Sequence, residues 1–388
     1  MSERMLRVCY FGTYRQNYSR NHIMITSLRR NGVTVLECHE TLWQGIEDRV
    51  NTVSGGWTRP AFWGRMFRTY ARLLRRYWAM RHAYDILVVG YPGQVDVYLA
   101  RLLSWWQGKP LVWDVFMSIY LIAVERGLDR QSGLAVRLLR GLEWLACRLP
   151  DRLILDTAAY VHWFQQTHGV APERFCLVPT GADSDQFAIS ATTATADNST
   201  ATSPCLVIYY GTFIPNHGVL TIVEAARHLA SDPTIQLVLI GQGPDRAAAE
   251  ALAQRYNLPN ITFIDWLAQD ALVQQVADAT VVLGAFGTTP QSLMTVQNKI
   301  YEGLALGKPV LSGDGPAVRA ALVAGEEIEL CARNDSAALA DAIRRLCADP
   351  ARRARLAERG YRRFLCDYAL APLGRRCKTH LQETANRA

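Results

Sequence analysis

The stretch "NKIYEGLALGKPVLSGDG" (298–315) sets one lysine, Lys299, and one carboxylate, Glu302, into an otherwise apolar helical run that ends on a glycine-rich turn. Its neighbours Ile300, Tyr301, Leu304 and Leu306 read as core, and a carboxylate among such neighbours needs a hydrogen-bonding partner. Upstream lie "GTFIPNHG" (211–218), "GQGPD" (241–245) and "GAFGTTPQS" (284–292), each after an apolar run and before a helical pattern. Glycine at such places lets a ligand approach the backbone, and the following helix offers unpaired N–H groups and the positive end of its dipole. The chemistry indicated is phosphate binding. In the first half, "GTYRQNYSRN" (12–21) also follows a strand-like run. It is not G-x-G-x-x-G, which counts against a dinucleotide site.

The elements that must position these residues alternate regularly. Strand-like runs at 6–12, 34–40, 85–92, 110–116, 151–157 and 175–181 are separated by helical patterns, and a second series follows at 205–213, 235–243, 261–267, 280–286, 309–314 and 327–332. Such alternation predicts two parallel-sheet, Rossmann-like α/β domains in tandem. The expected bounds are 1–188 and 205–365, joined by the low-complexity "ISATTATADNSTATSP" region (189–204) and followed by a helical tail, 366–388, packing back on the first domain. In open parallel sheets ligands sit beyond the carboxyl ends of the strands, where the glycine-bearing stretches fall.

The bulk numbers set outer limits. A chain of 388 residues with 49% apolar and 20% charged side chains suits two soluble globular domains. Nine cysteines are scattered singly, an odd number without C-x-x-C, and no run is long and apolar enough to span a bilayer. A cytoplasmic protein, peripheral on the inner face of the cell membrane, is the expectation.

The ordered set "YYGTFIPNHG", "LIGQGPD", "FIDWL" and "LGAFG…NKIYEGLALGKPVLSGDGPAVR" resembles the nucleotide-sugar-binding domain of family 4 (group 1) retaining glycosyltransferases of GT-B fold. The resemblance implies two Rossmann-like domains facing a central cleft, a nucleotide-sugar as co-substrate, and no metal or other cofactor. Glu302 matches the second glutamate of the family's E-x7-E motif, which holds both ribose hydroxyls of the donor. Met294 stands where the first glutamate would be, and Thr212 and His217 replace the arginine and lysine that clasp the diphosphate. Lys299 is then the leading candidate to stabilise the departing diphosphate. Other donor-side candidates are Gly211, Gly241, Gly243, Asn298, His217 as a hydrogen-bond donor, and the backbone N–H groups of Phe286, Gly287 and Thr288. Tyr14, Arg15, Ser19 and Arg20 could hold acceptor or diphosphate. Trp113 or Asp114 occupies the place of a histidine beside the reacting carbon, with Asp114 a candidate catalytic group.

Net charge is +7, and from Arg49 to His82 there are arginines but no acid. Aromatic residues recur there at helical spacing, so a helix carrying Trp63, Arg65, Arg68, Arg72 and Arg75 is either packed on the core with a solvated face or lies on an anionic membrane surface. No nucleic-acid recognition motif accompanies the arginines. The reading is a transferase moving sugar, with retention, to a hydroxyl of a glycan or lipid-linked glycan in cell-surface polysaccharide or glycolipid synthesis. The alternatives are a GT-B nucleotide-sugar epimerase or a non-catalytic nucleotide-sugar-binding protein.

Overall fold

The computed structural model describes residues 5–42, 60–188 and 204–387. The low-complexity connection, Arg49 and Arg59 fall outside the described residues. The chain divides into two compact units, one formed by 1–179 with 370–388 and the other by 180–369. The first therefore ends nine residues before the expected 188: stretch 180–188 goes with the second unit, where the Ala182 N–H donates to the Tyr368 carbonyl.

In the first unit the elements run β1 (Arg7–Gly12), α1 (Ser19–Arg30), β2 (Thr34–His39), α2 (Pro60–Met80), β3 (Ile86–Val89), α3 (Asp96–Gln107) and β4 (Leu111–Asp114). They continue with α4 (Ile119–Glu125), α5 (Leu128–Gln131), α6 (Gly133–Ala146), β5 (Arg152–Leu155), α7 (Ala158–His168) and β6 (Phe175–Leu177). The strands are parallel in the order β2-β1-β3-β4-β5-β6. Every step after β2 moves the same way along the sheet, so right-handed crossovers put α2, α3, α6 and α7 on one face. The step from β1 to β2 runs the other way and puts α1 on the opposite face.

The second unit runs β7 (Cys205–Tyr210), α8 (Val219–Leu229), β8 (Ile235–Ile240), α9 (Arg246–Arg255), β9 (Ile261–Ile264), α10 (Gln269–Asp278) and β10 (Val281–Leu283). Then come α11 (Pro290–Met294), α12 (Asn298–Ala305), β11 (Val310–Gly313), α13 (Pro316–Ala321), β12 (Glu329–Cys331), α14 (Ser336–Ala348) and α15 (Pro350–Asp367). Its sheet is also parallel, β12-β11-β10-β7-β8-β9. A disulfide joins Cys205, at the start of β7, to Cys347 in α14. The partners are 142 residues apart, a pairing that cysteine spacing does not reveal.

The last helix, α16 (Leu370–Arg387), lies in the first unit against α1. Cys377 and Leu381 enter the core beneath β1 and β3, and Asn31 and Lys378 tie the helices through main-chain carbonyls. Gly374 sits where any Cβ would collide with the Ser27 carbonyl, which fixes how closely α16 approaches.

Deep in this unit the guanidinium of Arg20 and the carboxylate of Asp114 form a fully buried pair, with Nε–Oδ2 and Nη2–Oδ1 distances of 2.9 Å. The remaining terminal nitrogen donates to the Val178 and Pro179 carbonyls at 2.9 and 3.0 Å. Asp156 lies in the same charged cluster, 4% exposed, with its Oδ1 unpartnered among the described residues. Burial pushes its carboxyl up to about 7, against the pull of Arg20. The folded protein thus keeps a proton that the unfolded chain releases near pH 4, so this group's contribution to stability falls as pH rises from about 4 to about 7. Asp156→Asn is expected to flatten that fall and to gain about 2 kcal/mol at pH 8. Urea unfolding at pH 5 and pH 8 checks it, and a variant no more stable at pH 8 would contradict the assignment.

Candidate functional site

The strand order of the second unit reverses between β7 and β10, and ligands bind in the crevice at such a point. Two loops meet there, 211–218 after β7 and 284–289 after β10. They are pressed together backbone to backbone: a Cβ at Gly218 would lie 2.6 Å from the Gly287 nitrogen, and one at Gly287 would strike the Pro215 carbonyl. Hydrogen bonds from Phe286 N to His217 O (2.9 Å) and from Ser292 Oγ to Asn216 O (2.6 Å) lock the pair.

Helix α12 begins under these loops and brings Lys299 into them. The Lys299 ammonium is buried, 4.1 Å from the centroid of the Tyr209 ring and 3.4 Å from His217 Nδ1. Gly211 leaves room for it, since a Cβ there would lie 3.0 Å from Nζ. Burial pulls the Lys299 pKa down to about 7, against the attraction of Glu302 on the next turn. Glu302 is half-buried; desolvation pushes its carboxyl up to about 7, opposed by the Tyr210 hydroxyl and by Lys299. His217 is held well below the usual imidazole range by burial and by the Lys299 charge.

The tautomer of His217 follows from its partners. Its Nδ1 lies 2.6 Å from the Thr212 carbonyl, which only accepts, 2.9 Å from the Tyr209 hydroxyl and 3.4 Å from Lys299 Nζ, and a proton on Nδ1 serves the nearest of the three. Nε2 of the neutral ring then carries a lone pair and not a hydrogen. The expected donor role needs the ring to take up a second proton, which a bound anion would favour.

Several donor-side candidates have different work from the one expected. The Phe286 N–H is taken by the His217 carbonyl and its side chain is wholly buried. The glycines at 241 and 243 let loops pack, since a Cβ at either would collide with the Gly211 or Phe213 carbonyl. Thr212 turns its carbonyl inward to His217 and to the Tyr209 hydroxyl. Gly287, Thr288 and Asn298 lie on the loop and the helix start beside Lys299. Met294, at the place of the missing glutamate, is 8% exposed.

Two contributors escaped the sequence reading. Tyr209 supplies the ring under Lys299, and the only sign of it was the aromatic pair before Gly211. Arg333 follows β12; its Nη1 donates to the carbonyls of Ala285 (3.2 Å) and Gly287 (2.9 Å) and to Ser292 Oγ (3.0 Å), and its Nε to the Asp314 carbonyl (2.5 Å). One guanidinium thus fixes both the β10 and β11 loops. A lone arginine after an edge strand was its only signal.

In the first unit the expected cluster does not assemble. Arg20 and Asp114 are spent on each other in the core, which removes the first as a diphosphate ligand and the second as a catalytic group. Tyr14 is also core, its hydroxyl 3.3 Å from Glu37. Arg15 and Ser19 are half-buried at the carboxyl end of β1 and the start of α1. Helix α2 packs Thr69, Leu73 and Tyr77 inward and exposes Trp63, Phe67 and Trp78, so it has both a core face and an aromatic outer face. Arg68 and Arg75 are exposed there, Arg65 is half-buried, and Arg72 shares Glu40 with Arg76. Among the described residues no group of three or more His, Cys, Asp or Glu side chains could hold a metal ion.

Residues 192–363 match the family described as Glycosyl transferases group 1. The chain is 27% identical over 168 residues to the lipopolysaccharide core biosynthesis glycosyltransferase LpsD of Rhizobium meliloti (strain 1021), a match covering 43% of this chain and 46% of that protein. The aligned stretch is therefore less than half of that relative. Among solved structures, sucrose-phosphate synthase (tll1590) from Thermosynechococcus elongatus superposes with a TM-score of 0.72 at 17% identity, covering 99% of this chain and 100% of that one. Anabaena Alr3699/HepE in complex with UDP superposes with a TM-score of 0.69 at 15% identity over 98% and 100%. HepE has also been solved with UDP-glucose. With two parallel six-stranded units, the fold is GT-B.

Arg333→Ala is expected to take the guanidinium donor from the Gly287 and Asp314 carbonyls, while the Ala285 carbonyl keeps the Gly313 N–H, and to cost about 2 to 4 kcal/mol. Arg333→Lys should recover only part of this, because an ammonium cannot fork across two loops. Urea unfolding of the three proteins checks the order; a neutral alanine variant would show that the loops hold without it.

Proposed function

We propose that the protein transfers a sugar from a nucleotide-sugar donor to a hydroxyl of a glycan or lipid-linked glycan, with retention, in the synthesis of cell-surface polysaccharide or lipopolysaccharide core. The observation that carries this reading is the Lys299–Glu302 helix at the β7/β10 reversal, inside the stretch that matches group 1 glycosyltransferases. HepE in complex with UDP-glucose supports a uridine-type donor, and LpsD supports a lipopolysaccharide-type acceptor.

In this reading Glu302 accepts the two ribose hydroxyls, an arrangement that replaces the water lost by a half-buried carboxylate. The diphosphate lies against Lys299, the N–H groups of Gly287 and Thr288, and the start of α12 at Asn298, with His217 donating once protonated. Bond breaking at the anomeric carbon puts negative charge on the diphosphate, which Lys299 meets from a site already low in water. The departing phosphate oxygen takes the acceptor's proton as the new glycosidic bond forms on the same face. Arg15 and Ser19 serve the acceptor. No first-unit carboxylate is required as a base.

Glu302→Ala is expected to weaken donor binding about 100-fold or more, since it removes two hydrogen bonds to a charged group, each worth about 1.5 to 3 kcal/mol. Calorimetry with UDP-glucose and other nucleotide-sugars measures it, and unchanged affinity would remove the ribose role. Lys299→Met keeps the bulk over Tyr209 and deletes the charge. It should lower turnover by about 100-fold or more while changing donor affinity less, as for a group whose stabilisation grows in the transition state. Equal loss in binding with kcat intact would make Lys299 a ground-state contact only. Product released without any acceptor would instead favour an epimerase.

A further inference from the structure

The helix layer formed by α2, α3 and α6 leaves large apolar side chains on its outer surface. On α6, Leu134, Leu138, Leu142 and Leu145 recur at helical spacing along one exposed stripe, Leu134 being 70% exposed. On α3, Leu102, Trp105 and Trp106 are exposed, Trp105 by 62%, and on α2 Phe67 is 69% exposed. The three helices are neighbours: the rings of Trp78 and Trp106 meet at 4.5 Å, and the Tyr98 hydroxyl donates to the Leu142 carbonyl at 2.7 Å. A soluble surface scatters such side chains singly; this one gathers them on one side of one sheet.

The charges on the same helices have one sign. The only acids in α2, α3 and α6 are Asp96 and Glu143, and both are 1% exposed. Asp96 is taken up by Thr13 and Tyr70, and Glu143 by Ser118 and the Ile119 N–H. Arginines flank the apolar stripe, Arg137 and Arg140 exposed on α6 and Arg68 and Arg75 on α2. Several stack on the outer tryptophans, Arg148 on Trp144 at 3.6 Å, Arg101 on Trp105 at 4.8 Å and Arg81 on Trp78 at 5.3 Å. Tryptophan and arginine with an apolar body and a polar tip suit the boundary between headgroups and acyl chains.

We propose that this face of the first unit docks on a bilayer containing anionic phospholipid, with the α6 leucines and α3 tryptophans entering the acyl boundary and the arginines engaging phosphates. The inserting helices are α3 and α6, and the arginine helix α2 contributes the rim. The inference deepens the lipid-linked-acceptor reading and rests on it only for its biological purpose, since the surface binds lipid whether or not sugar is transferred.

The test is flotation of the full chain with vesicles of phosphatidylcholine alone or with 30% phosphatidylglycerol, in low and high salt, and quenching of tryptophan emission by brominated acyl chains. Binding that requires phosphatidylglycerol, weakens with salt and brings quenching is expected. Trp105→Ser/Leu138→Gln/Leu142→Gln should lower partitioning at least tenfold and abolish quenching. Replacing Arg68, Arg75, Arg137 and Arg140 by glutamine should remove the preference for phosphatidylglycerol. Thermal shift with UDP-glucose on each variant reports the donor site of the second unit. A retained donor shift with no vesicle binding by the wild type overturns the docking surface alone; vesicle binding with no shift from any nucleotide-sugar overturns the donor reading alone. A concentration-dependent dimer lost in the triple variant, without vesicle binding, would make the face a contact between copies and overturn the proposal. If the triple variant fails to fold, quenching of the wild type decides: its absence overturns insertion.

Discussion

The second unit is organised around the burial of one ammonium group. Taking Lys299 out of water is costly, and its surroundings meet that cost by proximity and not by a hydrogen-bonded counter-ion. The Tyr209 ring lies beneath it, Glu302 stands one turn away, and His217 is kept neutral by burial and by the charge it adjoins. Gly211, at φ 134°, brings its Cα close to the ammonium, and a Cβ there would lie 3.0 Å from Nζ. The arrangement sets that cation at the place where the sheet reverses, and in the proposed reading an anion completes it.

The loops above that cation are rigid for a different reason. They are held by main-chain contacts too close for side chains, and Arg333 bonds their carbonyls from behind. Positive charge behind the loop fixes geometry, while in the proposed reading positive charge in front of it meets the ligand. On that reading the separation accounts for a site that works without the arginine and lysine which the resemblance puts at Thr212 and His217.

The twelve strands were legible because a buried parallel strand must be a short apolar run, and each run was bounded by glycine, proline or a polar turn. Their carboxyl-end loops followed from the same pattern. What sequence could not say was which way a side chain points from a strand end. Arg20 and Asp114 lie at or beyond strand ends, where ligands are commonly met, yet they face inward, and the carbonyls of Val178 and Pro179 that complete the pair are more than 150 residues from Arg20 in the chain. Arg333 was hidden by the reverse problem, a plain surface-like residue whose acceptors are main-chain atoms. The outer face of α6 was missed because Leu-rich helical patterns ordinarily mean core, and only the fold shows which leucines have nothing above them.

The return of α16 to the first unit bears on the order in which the protein can be made. The second unit is one uninterrupted span, 180–369, whereas the first lacks Leu370, Leu373, Cys377 and Leu381 until the final helix is synthesised. Leaving the ribosome from the N-terminus, the earlier-made half must wait with part of its core uncovered while the later-made half can close behind it. The first sheet is thus sealed only after the whole span of the second unit has been made, and a chain cut short after Ala369 would carry one complete unit and one open one.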